Sequence, residues 1–231
     1  PRFERYKEVS KEIFSIFREF TDVIETISLD EAYLDVTSLE PDKVHATKIA
    51  QDIRNKIKNL TGLNSSAGVA PNKFLAKIAS DWKKPNGIFV IKPSFMYAFL
   101  SQLPVSKVNG VGKKTERRLK DLNIHTLRDI RRFPSLDLIL KFGKQGARLI
   151  ELSKGNDPSP VVPSKIRKSL SKEHTFETNV DKDCILNKIP ELANQLKIMI
   201  KTAQLEPKTV FLKIKSSEFK IYNRQMKIAS N

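Results

Sequence analysis

A single cysteine, Cys184, stands in a chain of 231 residues. No internal disulfide can form, and a cysteine-based zinc site is excluded. One free thiol fits a reducing, intracellular compartment. No apolar run approaches the roughly 18 residues of a membrane span. The chain opens on charged, helix-prone residues (Pro1 to Ser10) with no signal-peptide pattern. Internal repeats and low-complexity tracts are absent. Acidic residues are scarce relative to basic ones, 26 against 42, giving a net charge of +16. That imbalance says nothing of fold. It favours polyanionic partners, nucleic acid ahead of an anionic membrane. A membrane surface is disfavoured, because no basic helix carries the exposed apolar face it would need.

What is present is unevenly placed. Residues 1–91 hold 14 Lys and Arg against 13 Asp and Glu, whereas residues 92–231 hold 28 against 13. Nearly the whole excess lies beyond Ile91. A Lys-rich stretch is ordinarily a solvated surface, but an excess of this size points to phosphate-backbone binding. The hydrophobic content of 39% suffices for at least one sizeable core, and the length suits one to three domains.

Periodicity outlines the elements. Tyr6, Val9, Ile13, Phe17 and Phe20 form one apolar stripe and predict an amphipathic helix over 6–20. Two β-branched runs, 23–29 and 32–37, flank Asp30 and Glu31 and predict a hairpin with that acidic pair at its turn. Asp42 is a candidate cap for a helix reaching about Leu60, which Thr61-Gly62 ends. A short strand over 65–70, a helix over 73–81, a turn at 84–87 and a strand over 88–91 follow. This alternation predicts a layer packed around one sheet. From Pro93 to 154 the pattern is of short helices. Residues 156–164 contain three prolines and read as an inter-domain linker. Beyond it a strand is expected over 168–175, a helix over 183–203 and a strand over 209–215. Trp82 and the thirteen phenylalanines read as core and not as base-stacking platforms.

The acidic pair has two readings. Adjacent carboxylates in a straight strand point to opposite faces, but at a turn they can converge on a hard divalent cation such as Mg2+. Two such ions can activate a 3′-hydroxyl and stabilise a leaving pyrophosphate. On the dipeptide alone, a solvated turn is the simpler reading. Likewise Asn109-Gly110-Val111-Gly112, followed by Lys113 and Lys114, is either a plain turn or a helix-hairpin-helix whose amides and lysines grip a phosphate without reading sequence.

Four segments in order resemble the Y-family (translesion) DNA polymerases, nearest the bacterial DinB branch of the DNA polymerase IV type. They are Ser28-Leu29-Asp30-Glu31-Ala32-Tyr33-Leu34-Asp35; Gly68 to Asp81 with Lys84-Pro85-Asn86-Gly87; Val108 to Thr115; and Arg167-Lys168-Ser169-Leu170. The resemblance implies an α+β multidomain fold. A partial palm, a mixed sheet with helices, would occupy 1–91. An all-helical thumb with a helix-hairpin-helix would occupy 92–155, a linker 156–164, and an incomplete α+β little finger 165–231. It implies error-prone, two-metal nucleotidyl transfer that extends a primer on damaged template, with Asp30 and Glu31 as catalytic metal ligands. Lys84, and more weakly Lys77, would bind the nucleotide. Gly110, Val111, Gly112, Lys113, Lys114, Lys165, Arg167 and Lys168 would contact DNA. Asp35 is expected to be structural.

The implied cofactor is Mg2+, two ions in the intact enzyme. The implied partners are primer–template DNA, deoxynucleoside triphosphates and a sliding clamp, in a cytoplasmic, nucleoid-associated setting. The family's third metal-binding Asp and its steric-gate aromatic have no counterpart here. Nor does its clamp-binding tail. The chain begins with Pro and within a helical pattern, so a catalytically incomplete fragment is expected. The alternative is a non-catalytic module that binds the DNA backbone.

Overall fold

The computed structural model describes residues 2–42, 45–164 and 167–228. The chain divides into two compact units, Pro1–Ser164 and Lys165–Asn231.

In the first unit, helix α1 (Phe3–Arg18) lays Ile13, Ile16 and Phe17 against helix α2 (Ala46–Thr61), which answers with Ile49, Ile53 and Ile57 at four-residue spacing. Between them, strands β1 (Ile24–Thr26) and β2 (Ala32–Leu34) form an antiparallel hairpin in which Glu25 faces Tyr33. The cap position of α2 falls on His45 and not on Asp42. Asp42 ends a 3-10 turn, Thr37–Asp42, and α2 starts after His45, which offers no side-chain cap. The close of α2 is as expected: Gly62 takes the left-handed conformation (φ 73°) and returns its N–H to the Lys58 carbonyl.

Strand β3 (Ala67–Val69), helix α3 (Lys73–Trp82) and strand β4 (Ile88–Val90) form a parallel crossover. Asn72 caps α3, its side chain accepting the Leu75 N–H at 3.1 Å. Helix and strand approach closely at Gly68. A Cβ there would lie 2.1 Å from the Ala76 carbonyl oxygen. The single sheet expected for this region does not form. Among the described residues the hairpin and the parallel pair are separate two-stranded ladders.

Among the described residues of this unit five further α-helices follow: α4 (Pro93–Gln102), α5 (Lys113–Lys120), α6 (Leu127–Arg132), α7 (Ser135–Phe142) and α8 (Lys144–Lys154). A capping box of Thr126 and Asp129 starts α6. Leu100, Leu103, Leu119, Leu127, Leu138 and Leu149 are fully or almost fully buried in a cluster that also takes in Phe74, Leu75 and Ile78 of α3. Each such leucine contributes about 1.5–3 kcal/mol. The core is therefore continuous across the position between Ile91 and Lys92. Trp82 is 46% exposed, yet it packs edge-on to Phe99 at 4.8 Å and stacks on Phe89 at 5.8 Å between ring centroids.

The second unit has helix α9 (Lys182–Thr202), whose Asp181 cap accepts the Cys184 N–H at 2.8 Å. An antiparallel hairpin, β5 (Thr209–Lys215) and β6 (Ile221–Lys227), follows. None of the described residues in this unit is buried. The strand expected over 168–175 is absent: this stretch has no regular structure. Its sequence is polar apart from Leu170, so it carries no apolar alternation to hold against a partner.

Candidate functional site

The hairpin turn carries the acidic pair. The N–H groups of Ile27 and Ser28 both donate to the Glu31 carbonyl, at 2.9 and 3.2 Å, closing the loop. The Ser28 hydroxyl donates to Asp30 Oδ1 at 2.6 Å, and the Ser10 hydroxyl of α1 donates to the Leu29 carbonyl at 2.6 Å. Asp30 is exposed and Glu31 half-buried. Asp35 stands apart from them. Its carboxylate accepts the Thr37 N–H at 3.0 Å, and its own proton affinity is lowered by the Thr37 side chain and backbone.

Helix α3 brings cations to this turn. Lys77 Nζ forms an ion pair with the Glu31 carboxylate. Lys84, two residues past the end of α3, pairs with Asp81. Its ammonium is held more tightly than usual, first by the hydrogen bond to Asp81 and then by the charges of Asp81, Glu31 and Asp30. Asp30, Glu31, Lys77 and Lys84 thus share one electrostatic neighbourhood.

Glu25, Lys73 and Tyr33 were not singled out from sequence. Glu25 is a buried carboxylate, 3% exposed, ion-paired with Lys73 at the start of α3. The Lys73 ammonium also lies 5.1 Å from the centre of the Tyr33 ring. Burial raises the Tyr33 hydroxyl above its ordinary pKa, and the charges of Glu25, Asp157 and Glu31 add to this. A single Glu in an apolar strand gives no sequence signal of such a role.

The second group of expected residues lies at the turn before α5. Gly110 has φ 93°, a conformation that disfavours any side chain. Its carbonyl accepts Gln145 Nε2 at 2.7 Å. Gly112 is extended and needs no glycine for its backbone, and nothing lies within 4 Å of where a Cβ would be. Gly110, Gly112, Lys113 and Lys114 are exposed. Val111 is different. Its side chain is buried and its N–H donates to the Val108 carbonyl at 2.9 Å, so Val111 anchors the turn and offers neither group to a ligand. The first amides of α5 have no intrahelical acceptor. With the exposed Lys113 and Lys114 they present N–H donors and positive charge, which suit an anion. In the second unit Arg167 and Lys168 are exposed on irregular backbone. Lys165 lies outside the described residues.

Oxygen donors of the Asp30 and Glu31 kind suit a hard divalent cation. The Lys77 ammonium already held by Glu31 shows that positive charge is accommodated there. Among the described residues, however, no three His, Cys, Asp or Glu side chains gather into a metal-binding group. The two carboxylates fit a metal in kind but do not complete its protein ligand set. No helix among the described residues is long and apolar enough to cross a membrane.

Comparison with known proteins gives a consistent result. Residues 1–81 match the impB/mucB/samB family, residues 98–124 the IMS family HHH motif, and residues 167–231 the impB/mucB/samB family C-terminal domain. The chain is 43% identical over 230 residues to a DNA polymerase IV of Neisseria meningitidis serogroup C, spanning 100% of this chain and 65% of that protein. A serogroup B counterpart is also 43% identical over 230 residues, with 72% of its length covered. Among solved structures, a Y-family DNA polymerase chimera of Dbh and Dpo4 superimposes with a TM-score of 0.88 at 30% identity, over 99% of this chain and 66% of that one.

Proposed function

The chain belongs to the impB/mucB/samB family of Y-family DNA polymerases, and from that premise we propose that it carries part of a translesion polymerase site, with Asp30 and Glu31 as its metal-facing carboxylates. The observation that supports this most directly is the hairpin turn that sets both residues beside Lys77 and Lys84. We assign residues 1–91 to the palm, 92–155 to the thumb, 156–164 to the linker and 165–231 to the little finger. The chain spans about two thirds of the length of its relatives, so template-directed extension is proposed for the parent protein. The family relation favours this reading over a DNA-binding module without chemistry.

Asp30 and Glu31 would hold Mg2+, which when bound lowers the proton affinity of a primer hydroxyl and neutralises a leaving pyrophosphate. The residues' own contributions are positional. The Ser28 hydroxyl orients Asp30 by donating to it. Lys77 offsets the repulsion between the two adjacent carboxylates. Lys84 provides a point charge for the triphosphate of a deoxynucleotide once its ammonium turns from Asp81. The exposed face of Gly110, Gly112, Lys113 and Lys114 would grip the duplex backbone without regard to sequence, and Arg167 and Lys168 would add phosphate contacts. The sliding clamp is retained as a partner of the parent on the family relation alone.

Primer extension with Mg2+ and deoxynucleotides tests the chemistry, alongside primer–template binding at two salt concentrations. Extension abolished by Asp30→Ala with Glu31→Ala supports a working site in this chain. Steeply salt-dependent binding without extension supports a grip whose catalytic ligand set is incomplete. Extension that persists in the double variant sinks the assignment of the carboxylates.

A further inference from the structure

The proline-bearing segment after α8 is fastened down. The Gly155 carbonyl accepts Asn72 Nδ2 at 2.8 Å. Asp157 Oδ2 accepts the Phe74 N–H at 3.0 Å. The Pro160 carbonyl accepts Lys73 Nζ at 3.0 Å, and the Val162 N–H donates to Glu25 Oε2 at 3.0 Å. Four points within eight residues are thus tied to Asn72–Phe74 and to the hairpin strand that leads into Asp30. Two of the four ties end on the Glu25–Lys73 ion pair, whose side chains are only 5% and 16% exposed. Each partner of that pair also holds the segment directly, Lys73 at Pro160 and Glu25 at Val162. Charge-assisted bonds of this sort are about twice as strong as neutral ones.

We infer that Glu25 and Lys73 form a clasp that seats residues 160–162 on the palm, so that the free tether to the second unit is only the few residues after Val162. The second unit begins at Lys165. Opening the clasp leaves Gly155 and Asp157 tied, so it would lengthen the tether from the two residues 163–164 to the seven of 158–164. Effective concentration falls roughly as the −3/2 power of tether length, so release would weaken two-unit engagement of a single duplex about sixfold. Glu25 is thereby a positioning residue, acting through the tether and touching no substrate. The duplex consequence rests on the DNA-gripping function proposed above, whereas the clasp itself does not.

The test is hydrogen exchange at the Val162 amide in the full chain, with primer–template affinity measured on the same samples. The variant is Glu25→Gln with Lys73→Met, which removes both charges and so leaves neither buried and unpaired. The expected result is at least tenfold less protection at Val162, unchanged protection at Leu149 and Leu152 in α8, and a Kd for duplex raised about fivefold or more. Unchanged protection at Val162 overturns the clasp. Protection lost in α8 as well overturns it too, because the pair would then support the unit as a whole. Val162 released with duplex affinity unaltered overturns the tether consequence. If the unaltered chain binds no duplex, the proposed function fails, and the exchange result still decides the clasp.

Discussion

Three glycine-to-alanine substitutions separate packing from backbone strain in the first unit. At Gly68 the added Cβ would meet the Ala76 carbonyl oxygen at 2.1 Å, the Ser80 nitrogen at 2.3 Å and the Ala79 Cβ at 2.8 Å. All three belong to α3, and two are backbone atoms, so no side-chain rotation relieves the clash. The helix must move away from β3, and overpacking of this kind costs about 1–3 kcal/mol or more. We expect Gly68→Ala to lie at the upper end, about 3 kcal/mol. At Gly62 nothing lies within 4 Å, but φ is 73°, so Gly62→Ala should cost about 1–2 kcal/mol through left-handed strain alone. At Gly112 the space is open and φ is −82°; Gly112→Ala should change stability by less than about 0.5 kcal/mol. Urea unfolding followed by fluorescence of Trp82, the sole tryptophan, reports on this unit. The indole packs on Phe89 and Phe99 beside α3. The reasoning is refuted if the three variants do not rank in this order, and above all if Gly68→Ala proves as mild as Gly112→Ala.

Three other perturbations follow from the site and its supports. In the parent protein, under the function proposed above, Lys84→Ala should raise KM for the incoming deoxynucleotide about tenfold or more while leaving duplex Kd nearly unchanged; equal losses in both would show a general rather than a nucleotide-specific role. Lys113→Ala with Lys114→Ala should weaken duplex binding similarly for all sequences and reduce the salt slope by about 2. A slope that does not move removes both lysines from the phosphate contacts. Burial raises the Asp129 pKa, but the N–H groups of His125 and Thr126 and the Thr126 hydroxyl together hold it below its ordinary value. A depressed carboxyl contributes stability that is full above the unfolded pKa of about 4 and is lost as pH falls through the folded value. Asp129→Asn should therefore destabilise by about 1 kcal/mol at pH 7, with the difference from the unaltered chain shrinking below about pH 4; a difference independent of pH would contradict this.

Elements with a strong period were legible from sequence. The two β-branched runs did form a hairpin around Asp30 and Glu31, β5 occupies 209–215 as expected, and α9 differs from expectation by one residue at each end. What escaped sequence reasoning depends on tertiary contact. Lys168 to Thr175 lacks apolar alternation and forms no strand, while β6 pairs with β5 along its full length although its residues mix polar and apolar types. Asp42 looked like a cap, yet α2 begins four residues later. At the candidate site, the Asp30-Glu31 turn was legible because strands bound it on both sides. The pairing of Glu31 with Lys77 spans 46 residues and could not be. Val111 sat among the expected DNA contacts, but its amide and side chain both face inward. The proline-bearing stretch read as a free linker because composition does not reveal that Glu25, 137 residues before Val162, receives it.

Val111 and Val108 enter the same buried cluster as Phe74, Leu75 and Ile78, the apolar side of the helix whose other residues include Lys73 and Lys77. The turn before α5 and the lysine-bearing helix α3 therefore share one core, and protein cores pack about as densely as crystals of small molecules. The span between them behaves as a fixed gauge. Under the function proposed above, a primer–template held at that turn would be kept at a constant distance from the carboxylate that Lys77 holds.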